Sequence, residues 1–104
     1  MSLSRAVRTY LDHLSVERGL ATNTMTSYRR DLRRYLEFLD TQGIEELDAV
    51  SEATVSAFLT RLREGDQEHV PLSASSAART IVAVRGFHRF AIQDGLAQLD
   101  PAAQ

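Results

Sequence analysis

A chain of 104 residues, of which 43% are hydrophobic and 25% charged, has the size and composition of one globular domain, which excludes a disordered or collagen-like chain. It contains no cysteine, so disulfides, thiolate zinc sites and cysteine nucleophiles are excluded. No apolar run approaches the roughly 18 residues of a membrane span, and no signal peptide is visible at the N-terminus. The sequence therefore predicts no membrane association and, by default, a cytoplasmic location.

The formal net charge of −2 hides a strongly polarised distribution. Residues 1–36 hold seven arginines against three acids, residues 37–68 hold two arginines against nine acids, and residues 69–104 hold three arginines against two acids. A chain of this kind can present a basic face while it remains acidic as a whole.

Apolar residues recur with helical spacing along the whole chain and predict four helices. The first is expected to run from a serine cap near the N-terminus towards Gly19, and the second from residues 22–24 to Gly43. The third begins after an N-cap at Ser51 and ends at Gly65. The fourth is capped within residues 73–75 and ends at Gly95. The prediction is an all-α fold in which short connections pair neighbouring helices as antiparallel hairpins.

Two segments outside the helices complete the predicted organisation. The polar residues 65–72 predict an exposed, mobile loop. A proline directly follows Asp100, just beyond the last helix, which is typical of the start of a linker. We therefore expect a folded domain at residues 1–97 and the beginning of a linker at residues 98–104.

The second helix carries four arginines within six residues, opposite its apolar face when successive residues are placed about 100° apart. These are Arg29, Arg30, Arg33 and Arg34. One interpretation is a solvated face, balanced by Asp31 and Glu37 on the same helix. The other is a surface that binds an anionic partner, and the two stay open on periodicity alone.

The fourth helix carries small residues, hydroxyls and one arginine opposite its main apolar arc: Ser75, Ser76, Arg79, Ala83 and Gly86. Hydroxyls near a helix N-terminus suit phosphate oxygens. Small residues also permit close packing of another helix, so burial on both sides is an equal alternative. Val82 and Phe90 flank this arc and favour burial of the C-terminal half, whereas the hydroxyls and Arg79 favour exposure of the N-terminal half.

The residues that commonly carry catalysis or metal binding lack a productive arrangement. The histidines do not have the spacing of metal ligands, and His88, on an apolar arc, is expected to be a core residue. The three tyrosines lie on apolar faces, and no nucleophile can be paired with a base. We predict a binding domain with no catalytic residues, no metal, no cofactor and no small-molecule ligand.

Two segments resemble the core-binding domain of the tyrosine recombinases. Residues 19–39 (GLATNTMTSYRRDLRRYLEFL) are similar to its second helix and residues 73–95 (SASSAARTIVAVRGFHRFAIQDG) to its fourth, while the closing GLAQLDPA is similar to the segment that leads into the catalytic domain. Within the family the resemblance is greatest to the Xer branch, and to its XerD type more than its XerC type.

The resemblance implies a four-helix orthogonal bundle of two helical hairpins, similar to the SAM domain, that covers one face of a DNA half-site. Its second and fourth helices enter or flank the major groove, and the first and third serve packing and contacts between protomers. Carried onto this sequence, the DNA-facing positions are Thr24, Thr26, Ser27, Arg30, Arg34, Ser75, Ser76, Arg79, Thr80 and Ala83.

The family's catalytic residues belong to a C-terminal domain, and none of them maps onto this chain. The resemblance implies a fragment of a longer recombinase that resolves chromosome dimers at the dif site, in a tetramer with XerC-like protomers. A phage-type integrase is an alternative within the family. Outside it, a helical protein-interaction module is an alternative, and a helix-turn-helix regulator ranks behind because residues 63–73 form too long a connection.

Overall fold

The computed structural model describes residues 1–103, which form four α-helices: α1 (Leu3–Asp12), α2 (Thr22–Thr41), α3 (Glu52–Glu64) and α4 (Ala74–Gln93). A π-helical turn at His13–Glu17 extends α1, and a 3₁₀ turn at Leu47–Ala49 precedes α3. Within residues 1–103 the only β-type pairing is an isolated bridge between Ser2 and Glu46. The predicted all-α fold of four helices is confirmed.

Local side-chain chemistry sets where the helices begin. Ser51 caps α3, since its hydroxyl accepts the Thr54 N–H at 3.2 Å and the Thr54 hydroxyl accepts the Ser51 N–H at 3.4 Å. Ser73 caps α4 in the same way by accepting the Ser76 N–H at 3.2 Å. Each cap satisfies a backbone donor that the helix leaves free, which fixes the start of the element.

Helix α4 occupies the centre of the molecule and contacts each of the other three helices. Its residue His88 is 1% exposed, and the Nε2 atom lies 2.8 Å from the hydroxyl of Tyr35 on α2. Burial lowers the pKa of His88 to about 4 and raises the pKa of Tyr35. The expected core histidine is confirmed, and its hydrogen bond satisfies two buried polar groups at once.

Close packing between α1 and α4 depends on Gly86. A Cβ atom at this position would lie 2.6 Å from the hydroxyl oxygen of Tyr10. The Tyr10 ring is fixed by aromatic neighbours, with the ring centroid of Phe90 at 5.2 Å and that of Phe87 at 6.0 Å. Burial raises the pKa of Tyr10 to about 12. The C-terminal half of α4 is therefore packed on this side, as one of the two interpretations predicted.

The two apolar residues that flank the arc, Val82 and Phe90, differ in exposure. Phe90 is buried, but Val82 is 57% exposed. The side chains of Tyr10 and His13 reach Phe90, whose ring centroid lies 4.9 Å from that of His13. Val82 stays exposed because it lies two turns closer to the N-terminus of α4.

The loop of residues 65–72 is exposed as predicted, but its own hydrogen bonds hold it in place. The Asp66 carboxylate accepts the N–H groups of Glu68 and His69, both at 2.9 Å, and the Asp66 N–H donates to the His69 carbonyl at 2.9 Å. Gly65 has φ +79°, and a Cβ there would lie 2.8 Å from the His69 carbonyl oxygen. The loop is thus a turn closed by its own hydrogen bonds, and its mobility stays a prediction.

The chain beyond residue 97 continues to pack against the bundle. Ala102 is only 4% exposed and belongs to the hydrophobic core. The boundary at residue 97 stays a prediction. Among residues 1–103, no helix combines the length and the apolar character needed to cross a bilayer.

Candidate nucleic-acid interface

A basic surface of the molecule runs along α4, beside α2 and, at its C-terminal end, beside α1 and the π-helical turn, and we call it the α2–α4 groove. It consists of three clefts that share lining residues. Asp31 and Arg79 belong to both the first and the second cleft. Thr24, Tyr28 and Val82 belong to both the second and the third. The clefts therefore form one continuous surface along α4, from Ser76 to Gln93.

Arginines dominate this groove. Seven of the twelve basic residues line it: Arg18, Arg30, Arg33, Arg34, Arg79, Arg85 and Arg89. The carboxylates among its lining residues are those of Asp31 and Glu37. A chain with a net charge of −2 thus concentrates positive charge on one face, which is the arrangement that attracts a polyanion.

The first cleft brings together five residues that the sequence placed on two separate helices: Arg30, Arg34, Ser76, Arg79 and Thr80. The Arg30 guanidinium donates to the Ser27 hydroxyl at 3.3 Å and lies 3.7 Å from the Asp31 carboxylate. Arg79 is exposed and forms no ion pair with any residue in 1–103. Its charge is therefore available to a ligand.

The second cleft contains Thr24, Ser27 and Ala83 beside Arg79. Two other predicted residues, Thr26 and Ser75, line none of the three clefts. The Thr26 hydroxyl donates to the Thr22 carbonyl at 3.0 Å, and the Ser75 hydroxyl lies 3.3 Å from that of Ser73. Both side chains are exposed outside the groove.

Thr80 and Ala83 form the floor of the groove because their side chains are 5% and 3% exposed. The Thr80 hydroxyl donates to the Ser76 carbonyl at 3.3 Å and approaches the buried Asp31 carboxylate at 3.5 Å. This contact joins α2 to α4 beneath the arginines. Both residues therefore set the depth of the groove, and the exposed side chains around them offer the hydrogen bonds.

The sequence analysis gave no role to several residues that line the groove, among them Arg18, Arg85, Arg89 and His69. Arg85 and Arg89 lie on the side of α4 next to Val82, for which the sequence analysis left burial and exposure open. Arg18 directly follows the π-helical turn, an irregularity that no spacing in the sequence indicated. The uneven distribution of charge along the sequence could have indicated these three arginines, since they belong to the two basic segments, residues 1–36 and 69–104.

The described residues contain no cluster of three or more histidine and carboxylate groups that is able to hold a metal ion. Each histidine has a different partner instead. His13 Nδ1 lies 2.8 Å from the Glu17 carboxylate, and His69 Nδ1 lies 3.1 Å from that of Asp66. The chemistry of the groove is thus that of guanidinium, hydroxyl and imidazole groups.

Residues 7–95 match the family described as phage integrase, N-terminal SAM-like domain. The chain belongs to this family. The match confirms the SAM-like fold that the resemblance implied, and with the XerD relatives described next it confirms the N-terminal domain of a tyrosine recombinase.

The chain is similar to curated tyrosine recombinases over nearly its whole length. It is 54% identical to tyrosine recombinase XerD of Mycobacterium tuberculosis strain H37Rv over 103 residues, which cover 97% of this chain and 33% of that protein. It is 52% identical to XerD of Mycobacterium leprae, with the same coverage of both chains. Tyrosine recombinase XerC of Pseudomonas entomophila is 37% identical over 100 residues, which cover 96% of this chain and 32% of that protein.

The chain therefore spans about a third of the length of these relatives. The higher identities to the XerD proteins agree with the preference for the XerD type in the sequence analysis. No solved structure matches the chain significantly.

Proposed function

We propose that this chain is the DNA-binding, core-binding domain of a XerD-type site-specific recombinase and that it grips a recombination half-site through the α2–α4 groove. The observation that carries the proposal is the row of seven arginines along this one groove. Guanidinium groups pair with phosphate oxygens and with guanine edges, so the groove has the chemistry that both kinds of DNA contact require.

The dimensions of the groove suit a duplex. The stretch of α4 from Ser76 to Gln93 is about 26 Å long at 1.5 Å per residue. This length corresponds to about eight base pairs at 3.4 Å each. Since Arg79 lies near one end and Arg89 near the other, the charges are spread along the duplex and do not crowd around a single phosphate.

The proposed contact set keeps the residues implied by the resemblance, with roles that follow from their positions. Arg79, which lines both the first and the second cleft, is the candidate to read a base edge. Thr24, Ser27 and Ser76 offer hydroxyls beside it, and Arg30 and Arg34 neutralise phosphates. Thr26 and Ser75 are exposed outside the three clefts, and Thr80 and Ala83 form the floor of the groove.

The proposal extends to the parent recombinase. Relatives that carry this domain are named tyrosine recombinases of the XerD and XerC types, which supports a parent enzyme of this class. We propose, as the resemblance implies, that it is cytoplasmic and resolves chromosome dimers at dif. It would act in a tetramer with XerC-like protomers, with its catalytic residues in another domain. Residues 38–68, which hold eight acids, face away from DNA in this arrangement because phosphates repel carboxylates.

Binding of a duplex at several salt concentrations tests the DNA-binding role. We expect the logarithm of the association constant to fall linearly with the logarithm of salt concentration, with a slope of about −0.9 for each phosphate contact. Replacing Arg79, Arg85 and Arg89 together by alanine should reduce the size of this slope by up to about 2.7. Fluorescence anisotropy with a labelled duplex measures both quantities.

The matched control replaces Arg5, Arg8 and Arg63 by alanine. These three arginines are exposed, line none of the groove's clefts and change the net charge by the same amount. We expect this variant to keep most of the wild-type slope. Equal losses in the two variants would show that net charge alone drives binding, and salt-independent curves would remove the DNA-binding role.

A further inference from the structure

An exposed apolar side chain stands where two clefts of the basic groove meet. Val82 of α4 is 57% exposed and lines both the second and the third cleft. The other exposed large apolar side chains of residues 1–103 lie outside the groove's three clefts: Met1, Val16, Leu59, Val70 and Leu99. Single exposed apolar residues are common on protein surfaces, so the position of Val82 carries the argument and not its exposure alone.

Arginines surround Val82 on the same face of α4. At about 100° per residue, Arg79, Arg85 and Arg89 all lie within about 60° of Val82 around the helix axis. All three are exposed and line the groove. Arg79 and Arg85 stand about 4.5 Å from Val82 along the axis, one on either side. A polyanion held by these arginines therefore lies over Val82.

Two small residues keep the surface next to Val82 open. Ala78 and Gly86 lie about one helical turn before and after it, on the row of positions that shares its face. Gly86 has no side chain, and Ala78 is exposed with only a methyl group. Because α4 places no bulky side chain beside Val82 along this row, the edge of a base is able to reach the valine methyl groups.

Base edges in the major groove offer one apolar group to such a side chain. Each base pair presents hydrogen-bond donors and acceptors there, and thymine adds its C5-methyl group. Valine has no hydrogen bond to give, so it gains nothing from a phosphate or from the polar edge of another base. Against the thymine methyl it removes apolar surface from water on both molecules, which is favourable.

We propose that Val82 packs against the C5-methyl group of a thymine in the major groove and so makes the domain selective for thymine at one position of its half-site. This inference rests on the proposed function and adds a specificity-determining residue to it. The arginines around Val82 hold the duplex, and Val82 distinguishes thymine by its methyl group.

Two duplexes that differ only in methyl groups test the contact. One carries the half-site, and in the other every thymine is replaced by deoxyuridine, which forms the same base pair without the C5-methyl group. At one fixed salt concentration we expect the wild-type chain to bind the thymine duplex about fivefold more tightly, equivalent to about 1 kcal/mol. Val82→Ala should lose most of this preference. Fluorescence anisotropy measures all four affinities.

Val16→Ala is the matched control for Val82→Ala. Val16 is 80% exposed and lines none of the groove's clefts, so the same substitution there should keep the fivefold preference. Val82→Ala should fold as wild type does, because Val82 is exposed and alanine has the higher helix propensity. Thermal unfolding of both variants checks this.

The outcomes separate this inference from the proposed function. If the wild-type chain binds both duplexes equally and with the expected salt dependence, the thymine contact is overturned while groove binding stands. If it binds neither duplex, the proposed function fails and the contact fails with it. If Val82→Ala keeps the full preference, another residue reads the methyl group, which overturns the inference and leaves Val82 for a contact with a protein.

Duplexes in which the thymines are replaced one at a time locate the contact. One valine reaches one methyl group, so a single position should account for most of the wild-type loss and for none of it in Val82→Ala. An NMR NOE between the methyl groups of Val82 and of that thymine shows the contact directly. A loss spread evenly over all thymines would reflect a general property of the duplex and would overturn the inference.

Discussion

At the scale of single residues, Arg79 and Arg61 show that the arginines of this chain differ in whether their charge is free to bind a ligand. Arg79 is exposed and belongs to two clefts of the groove. Arg61 lies 3.8 Å from the Asp66 carboxylate, and its guanidinium carbon lies 5.3 Å from the centre of the Phe38 ring. The charge of Arg79 is free to bind a ligand, whereas the side chain of Arg61 contacts Asp66 and Phe38 within the fold.

Arg79→Ala should weaken DNA binding with little change in stability. An arginine that reads a guanine is worth about 1–3 kcal/mol, which corresponds to a loss of about 5- to 150-fold in affinity. Duplex titrations with a half-site and with a random sequence measure the loss. A loss confined to the half-site indicates base reading, and an equal loss on both DNAs indicates a phosphate contact.

Arg63→Ala is the control for this substitution because Arg63 is exposed on α3 and lines no cleft of the groove. Arg61 is unsuitable, since its removal also breaks contacts with Asp66 and Phe38. Thermal unfolding of both variants completes the comparison. If Arg79→Ala lowers the melting temperature by several degrees and binds DNA like wild type, Arg79 has a structural role.

At the scale of elements, α4 combines a ligand-facing side with a side packed on α1. The two sides meet at Gly86, which lines the third cleft and also lies against the hydroxyl of Tyr10. A glycine in the middle of a helix costs about 1 kcal/mol relative to alanine. The close approach of Tyr10 explains why a glycine is present here despite this cost, since a Cβ atom would clash with the hydroxyl.

Gly86→Ala should lower the free energy of unfolding by about 1 kcal/mol, because overpacking by about 1–3 kcal/mol outweighs the gain in helix propensity. In a Tyr10→Phe background the same substitution should be stabilising. The hydroxyl at 2.6 Å is then gone, and the next Tyr10 atom lies at an ordinary 3.7 Å. Urea denaturation of the four chains forms a double-mutant cycle. Equal effects of Gly86→Ala in both backgrounds would contradict the proposed contact.

At the scale of the whole molecule, stability depends on a core that contains an ionisable pair. His88 and Tyr35 are fully enclosed between α2 and α4, and both are neutral in the folded chain at pH 7. The pKa of His88 is about 4 in the fold, below the value near 6.5 of an exposed histidine. Between these two pH values the unfolded chain binds a proton at this position that the folded chain does not.

The contribution of His88 to stability should therefore be complete above pH 6.5 and be lost progressively as pH falls towards 4. The two pKa values imply a loss of about 3 kcal/mol over this range. Urea denaturation at several pH values measures it, and His88→Gln serves as the comparison without a titratable group. The idea is refuted if both chains lose the same amount of stability between pH 6.5 and pH 4.

The sequence by itself determined the four helices and the two helix faces, one on α2 and one on α4, that line the groove. Ser51, Ser73 and the glycines that follow the helices act through neighbouring backbone groups, so their effect is visible without the fold. The arginine face of α2 and the small-residue arc of α4 follow from helical spacing alone, because each concerns a single helix. The resemblance to the tyrosine recombinases also rests on contiguous segments, and the family match confirms it.

Only the tertiary structure decided which residues share the groove and how exposed they are. Thr80 and Ala83 lie on the correct arc but are buried, because α2 packs close to α4 through the contact of Thr80 with Asp31. Arg18, Arg85, Arg89 and His69 join the groove through the π-helical turn, the exposed position of Val82 and the closed loop of residues 65–72. These depend on distances between segments far apart in the chain, which the periodicity of any one helix does not contain.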